Sequence, residues 1–305
     1  MHKFTDNIKK VIIGKDSEVA VLTAALLAKG HVLIEDVPGT GKTVLAKAAA
    51  KSINAEFKRV QFTPDLLPSD ITGINFFNMK SQEFILKKGS VFTNILLADE
   101  INRATPRTQS ALLECMEERQ VTIDGETHAL AEPFMVIATQ NPVEIQGTYP
   151  LPEAQLDRFL IRLTLGYADR KSEISVLESI GSTHPLDELE AVITAEELKA
   201  EQEKCANVLV GSAVREYIAD IGEATRTNER IRLGLSTRGL LALKKTAQAL
   251  AYLNGKTFTS PKDVKEAAIY VIPHRILARD YSDRNTVEIV KDILNKVAVP
   301  TEKTQ

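Results

Sequence analysis

The chain has 305 residues, 44% hydrophobic and 26% charged, with a formal net charge of −3. That suffices for one large or two modest domains with real cores. The charge is spread evenly, at −2 over residues 1–168 and −1 over residues 169–305, so no electrostatic arm for nucleic acid is expected. Two cysteines, Cys115 and Cys205, are too few for a disulfide framework or a metal site and fit a reducing compartment. No apolar run approaches the length of a membrane span, and Met1-His2-Lys3-Phe4-Thr5-Asp6 does not read as a signal peptide, so a cytoplasmic protein without a transmembrane segment is expected.

Residues 1–30 read as helices, with Val19, Leu22, Ala25 and Leu26 at helical spacing and Gly30 ending the pattern. A strand at His31–Ile34 follows, then a Gly-containing turn, Asp36-Val37-Pro38-Gly39-Thr40-Gly41-Lys42-Thr43, and a helix from Val44 to Lys51. Phe57–Phe62 reads as a strand, Thr63–Asp70 as a Pro/Asp-rich turn, and Asn75–Met79 with Glu83–Lys87 as a hairpin. Ile95–Ala98 is wholly apolar, as a buried parallel strand should be, and ends in Asp99-Glu100. Thr105-Pro106 looks like an N-cap followed by Pro at the first helical position, with a helix to about Arg119. Asp124-Gly125 marks a hairpin within Val121–Leu130. Phe134–Thr139 is another apolar strand, ending at Gln140-Asn141-Pro142.

Such alternation predicts an α/β fold, a parallel sheet with helices on both faces. Beyond residue 168 the strand signals fade, and Thr194–Cys205, Ser212–Thr225, Arg238–Leu253 and Ser260–Val271 read as helices, with Thr194 and Ser260 as N-caps. The second part is expected to be a small helical bundle, joined through the polar segment Ser182–Glu190.

Strand, Gly-Lys-Thr turn and helix together make a triphosphate site. Backbone N–H groups of Gly39, Thr40 and Gly41 can wrap phosphates at the positive end of a helix. Lys42 would reach the β- and γ-phosphates, and the Thr43 hydroxyl would bind Mg²⁺. The motif G-x-x-x-x-G-K-[ST] is departed from at its first position, which is Asp36. Asp99, ending a strand, is placed to complete the Mg²⁺ shell, and Glu100 to polarise the attacking water. Asn141 could hold that water or the γ-phosphate, although a turn-forming Asn before Pro142 accounts for it equally. Arg158 could stabilise transition-state charge on a neighbouring subunit. A salt bridge to Asp157 is the plainer reading, and Arg162 is a rival. Arg238 opens a bundle helix, where an N-terminus already favours anions and an Arg is unusual.

Gly39–Thr43, Leu97–Ala104, Ala138–Pro142, Leu156–Phe159 and Gln61–Asp70 closely resemble the MoxR family of AAA+ ATPases, over nearly the whole chain. The resemblance implies a P-loop αβα core at 1–168, a linker at 169–190 and a smaller all-α lid at 191–305. By matching motif, Pro38, Gly39, Thr40, Gly41, Lys42, Thr43 and Val44 bind nucleotide. Thr43 and Asp99 take the metal, Glu100 is the catalytic base, Asn141 is sensor 1, Arg158 the arginine finger and Arg238 sensor 2. Near 73–89 lies the counterpart of the family's helix-2 insert, and 121–130 matches its presensor-1 hairpin. Both are expected to face a pore or a client.

The implied cofactors are ATP and Mg²⁺. The implied assembly is a homo-oligomer, expected to be a hexameric ring, acting as a chaperone-like remodelling, assembly or activation factor for a protein complex or metalloenzyme, with a protein client that in this family usually carries a von Willebrand factor A domain. No nucleic-acid partner is expected. The alternatives are a DNA-dependent AAA+ motor and a nucleotide-gated scaffold with little turnover.

Overall fold

A computed structural model describes residues 1–37, 39–141, 147–179, 185–279 and 286–300. In chain order the elements are α1 (His2–Lys9), α2 (Asp16–Leu27), β1 (Val32–Glu35), α3 (Lys42–Ser52), β2 (Phe57–Gln61), α4 (Pro68–Thr72), β3 (Gly73–Asn78) and β4 (Glu83–Lys88). Then come β5 (Ile95–Asp99), a 3₁₀ turn at Ile101–Arg103, α5 (Pro106–Glu118), β6 (Gln120–Ile123), β7 (Glu126–Ala129) and β8 (Met135–Gln140). After these stand α6 (Glu153–Leu156), β9 (Ile161–Leu163), α7 (Arg170–Ser179), α8 (Ala195–Ala206), α9 (Ser212–Thr227) and β10 (Ile231–Leu233). The last are α10 (Thr237–Leu253), α11 (Pro261–Val271), β11 (Leu277–Ala278) and α12 (Thr286–Lys296).

Two compact units emerge. The first comprises Met1–Val19, His31–Leu151 and Leu163–Lys199; the second comprises Ala20–Gly30, Pro152–Arg162 and the chain from Ala200 on. The expected α/β core and the helical lid are both present. A five-stranded sheet has the order β2-β5-β8-β1-β9, and β2, β5, β8 and β1 pair in parallel. Every residue of β5 is buried, as are five of the six in β8, which is why both strands read as unbroken apolar runs. Parallel pairing brings the carboxyl ends of β1, β5 and β8 to one edge, where ligands bind in open α/β sheets.

The first unit is pinned by buried polar contacts. Asn7 donates to the Ser52 hydroxyl at 3.0 Å and to the Glu190 carbonyl at 2.8 Å. His31, just before β1, accepts the Val136 N–H on Nδ1 at 2.9 Å, and its Nε2 lies 3.0 Å from the Met116 carbonyl. Those partners require the neutral tautomer with the proton on Nε2. Burial, helped by Arg119, pushes its pKa from 6.5 down to about 3. Below pH 6.5 the unfolded chain takes up a proton that folded His31 refuses until about pH 3. This contribution is therefore whole above pH 6.5 and is lost as pH falls through that window, by about 1.4 kcal/mol per unit. Denaturant titrations should show that the wild type loses more stability between pH 7 and pH 5.5 than a His31→Phe chain. Equal losses would contradict a neutral buried His31.

In the second unit α9, α10, α11 and α12 pack together. Capping there follows the sequence: the Ser260 N–H donates to Asp263 at 2.8 Å, closing a capping box on α11. In the first unit Thr194 and Glu197 exchange bonds of 3.2 and 2.8 Å ahead of α8. Thr105 occupies the N-cap of α5, yet its hydroxyl faces that of Thr108 at 3.3 Å instead of a backbone N–H. Both cysteines are buried, and desolvation pushes each thiol up to about 12, which makes them inert packing groups.

Several elements were not expected. The Pro/Asp-rich turn ends in helix α4, and α7 occupies residues expected to be linker. Strands β9, β10 and β11 and helix α12 also lie outside the expected elements. Of the polar segment Ser182–Glu190, residues 182–184 lie outside the described residues, as do Pro38 and Pro142.

Candidate functional site

The turn after β1 owes its shape to two glycines with left-handed backbone, Gly39 at φ 86° and Gly41 at φ 88°. A side chain is disfavoured at such φ values. A Cβ built on either would meet nothing within 4 Å, so the loop backbone lies open at these two positions. Gly41 is the N-cap of α3, which has no side-chain cap and no acid in its first turn. Its first N–H groups thus keep their positive potential for an anion. Lys42 rests on its own loop, donating to the Asp36 carbonyl at 3.0 Å.

Asp99 ends β5 and Glu100 follows with φ 54°, in the left-handed region. A non-glycine residue there costs about 1–2 kcal/mol, and local contacts hold it. The Thr139 hydroxyl accepts the Glu100 N–H at 2.9 Å and donates to Asp99 Oδ1 at 2.6 Å. Gln109 donates to the carbonyls of Ile101, Ala104 and Tyr149, which fixes the turn beyond Glu100.

Strand β2, parallel to β5 with Gln61 opposite Asp99, supplies two more partners. Arg59 forks onto Asp99 Oδ2 at 2.6 and 3.1 Å. Gln61 donates to Glu100 Oε2 at 2.6 Å, and Arg103 reaches the same oxygen at 3.0 Å. Asn141 is buried just beyond β8. Sequence reading missed Arg59 and Gln61. Their spacing of two on a strand beside the acidic pair was the available signal.

A cavity of about 440 Å³ opens beside the loop. Gly39, Thr40, Gly41 and Val44 form one side, and Val11, Ile12, Ile13, Tyr167, Val176 and Leu177 make an apolar remainder. Its size suits a small-molecule ligand. Apolar walls at one end and backbone donors at the other suit a flat base carrying phosphates. The segments 11–15 and 166–177 were not foreseen as part of the site. Among the described residues, no group of three or more His, Cys, Asp or Glu side chains could hold a metal. The Thr43 hydroxyl and the Asp99 carboxylate are hard oxygen donors that suit a Mg²⁺ completed by phosphates and water.

The three candidate arginines, Arg158, Arg162 and Arg238, belong to the second unit. Arg238 lies in the first turn of α10, whose N-cap Ser236 accepts the Gly239 N–H at 3.1 Å. Arg158 follows Asp157, whose partner is Arg275 at 2.7 Å, with Ser236 Oγ donating to its other oxygen at 3.2 Å. Buried Arg275 also donates to the carbonyls of Phe159 and Leu160. Arg162 donates to the Thr286 hydroxyl at 3.3 Å.

Residues 31–161 match the family described as ATPase family associated with various cellular activities (AAA), and residues 223–294 match the AAA lid domain. Chaperone MoxR1 of Mycobacterium tuberculosis is 40% identical over 305 residues, covering 96% of this chain and 80% of its own. The chain belongs to the MoxR family of AAA+ ATPases. The uncharacterised protein YeaC of Bacillus subtilis is 49% identical over 99% of this chain and 95% of its own. A crystal structure of a proposed ATPase from Cytophaga hutchinsonii superposes with a TM-score of 0.90 at 37% identity, covering 98% of this chain and 94% of that one.

Two hairpins extend this MoxR-family core where the sequence placed them. β3 pairs with β4 antiparallel, and β6 with β7. The Asn75 amide donates to Asp124 of the second hairpin at 3.0 Å. The β3–β4 hairpin exposes Ile74, Phe76, Phe77, Met79 and Phe84, with Met79 82% and Phe84 72% accessible. Phe77 and Phe84 pair across the hairpin on one face, with Ile74 and Phe76 on the other, and exposed apolar groups clustered on one hairpin mark interaction surfaces. No helix among the described residues is long and apolar enough to cross a membrane.

Proposed function

We propose that this MoxR-family chain is a Mg²⁺-dependent ATPase that works in a homo-oligomeric ring, hexameric by family resemblance, as a chaperone-like remodeller of a protein client. The observation that carries the reading is one sheet edge. It joins an open, positive-φ glycine cradle at a helix N-terminus after β1 with an acidic pair at the end of buried β5, one strand removed across β8. Lys42 would leave its loop carbonyl for the β- and γ-phosphates. Glu100, held by Gln61 and Arg103, would take a proton from the attacking water. Asn141 would orient that water. Mg²⁺ held by Thr43 and Asp99 would supply charge neutralisation on the β- and γ-phosphates.

Arg158 of a neighbouring subunit would meet the developing γ-phosphate charge, and Arg238 would contact phosphate from its own subunit's lid. The exposed apolar hairpin supports a client that is a protein, and family resemblance favours one with a von Willebrand factor A domain. The absence of a charge bias over either half of the sequence supports a protein over a nucleic acid.

Phosphate release measured with Mg²⁺, and again with excess chelator, tests the enzyme reading. Turnover should need the metal and disappear in a Lys42→Ala chain. Chelator-resistant hydrolysis, or an active Lys42→Ala chain, would overturn it.

A further inference from the structure

Asp36 stands where the phosphate-loop motif has glycine, and it is almost wholly buried, at 5% exposure. Both of its carboxylate oxygens accept hydrogen bonds. Oδ1 accepts the Val37 N–H at 2.8 Å, and Oδ2 accepts the N–H groups of Leu165 and Gly166 at 3.0 and 2.8 Å. Its backbone N–H donates to the Gln140 carbonyl at 3.2 Å, and its carbonyl receives the Lys42 ammonium at 3.0 Å. One residue therefore touches the end of β8, the loop lysine and the segment 165–166.

That segment matters because Gly166, Tyr167 and Ala168 line the cavity that Gly39–Gly41 also line. Lys15, from the apolar wall at 11–15, donates to the Tyr167 carbonyl at 2.9 Å. The frame thus runs from the 11–15 wall through Tyr167 and Gly166 to Asp36 and the phosphate loop. Bonds from N–H groups to an ionised carboxylate are about twice as strong as neutral ones. A glycine at position 36 would leave three N–H groups without their acceptor.

We infer that Asp36 is a positioning residue for the nucleotide: its carboxylate ties the phosphate loop to the wall of the base cavity, so base recognition and phosphate binding are set together. The inference rests on the nucleotide-site reading above. Restoring the consensus glycine should harm the protein.

Calorimetric binding of ADP and of inorganic tripolyphosphate to the wild type, Asp36→Gly and Asp36→Asn tests it, with thermal melts to check folding. ADP affinity should fall about ten-fold or more in Asp36→Gly, against 1.4 kcal/mol per decade, while tripolyphosphate affinity changes less than about three-fold. Asp36→Asn keeps the size but puts a donor among donors, and should shift ADP affinity in the same direction. It serves as the probe if Asp36→Gly fails to fold. Unchanged ADP affinity in the folded variants would overturn the tether. Equal losses for ADP and tripolyphosphate would overturn it too, because the damage would then lie in the phosphate loop. A wild type that binds neither ligand would remove the nucleotide reading itself, and this inference with it.

Discussion

A Glu100→Gln chain should bind ATP as the wild type does and hydrolyse it about 10²–10⁴-fold more slowly, the usual contribution of a positioned general base. The substitution keeps the size of the side chain and removes its charge and basicity. The backbone need not move, because the left-handed conformation at position 100 is held through the Thr139 hydroxyl and the Gln109 contacts to the following turn. Single-turnover hydrolysis beside equilibrium binding separates the two effects. A rate within about three-fold of the wild type would remove Glu100 from the base role.

Arg158→Ala carries the larger expected loss. Charge stabilisation by an arginine supplied in trans is worth about 10³–10⁵ in rate, so turnover should collapse while nucleotide affinity holds. Asp157 is engaged by Arg275 and Ser236, and this substitution leaves that anchor intact. A mixing experiment distinguishes trans from cis action. Inactive Arg158→Ala chains carry an intact Glu100, and inactive Glu100→Gln chains carry an intact Arg158. Mixtures should regain activity where the two meet. Mixtures that stay inactive would place any effect of Arg158 within its own subunit. A fully active Arg158→Ala chain would shift attention to Arg162.

Much of this was legible in the sequence, for physical reasons. Strands β5 and β8 are buried along nearly all their length, so their apolar runs announce them. Gly-Lys-Thr after a strand has few structural uses, and Asp-Gly fixed the second hairpin with Asp124 and Gly125 both at positive φ. What escaped had weaker local signals. Strand β9 is three residues long and alternates around Arg162. Helix α7 is mostly charged and polar residues. Helix α12 does carry an apolar stripe, Ile289, Val290, Ile293 and Leu294, at helical spacing. The Asp36 tether, the Arg59 and Gln61 contacts and the cavity wall at 11–15 and 166–177 join residues far apart in sequence. No local pattern encodes such pairings. Asp36 read alone was a blemish in a motif; in the fold it is an acceptor for three N–H groups.

The most direct test of a shared-site ATPase is the specific hydrolysis rate measured against protein concentration with Mg²⁺, beside sizing with and without ATP. The rate per chain should climb as nucleotide-dependent oligomers form. A full rate from a species that sizing shows to be a monomer would contradict a shared site.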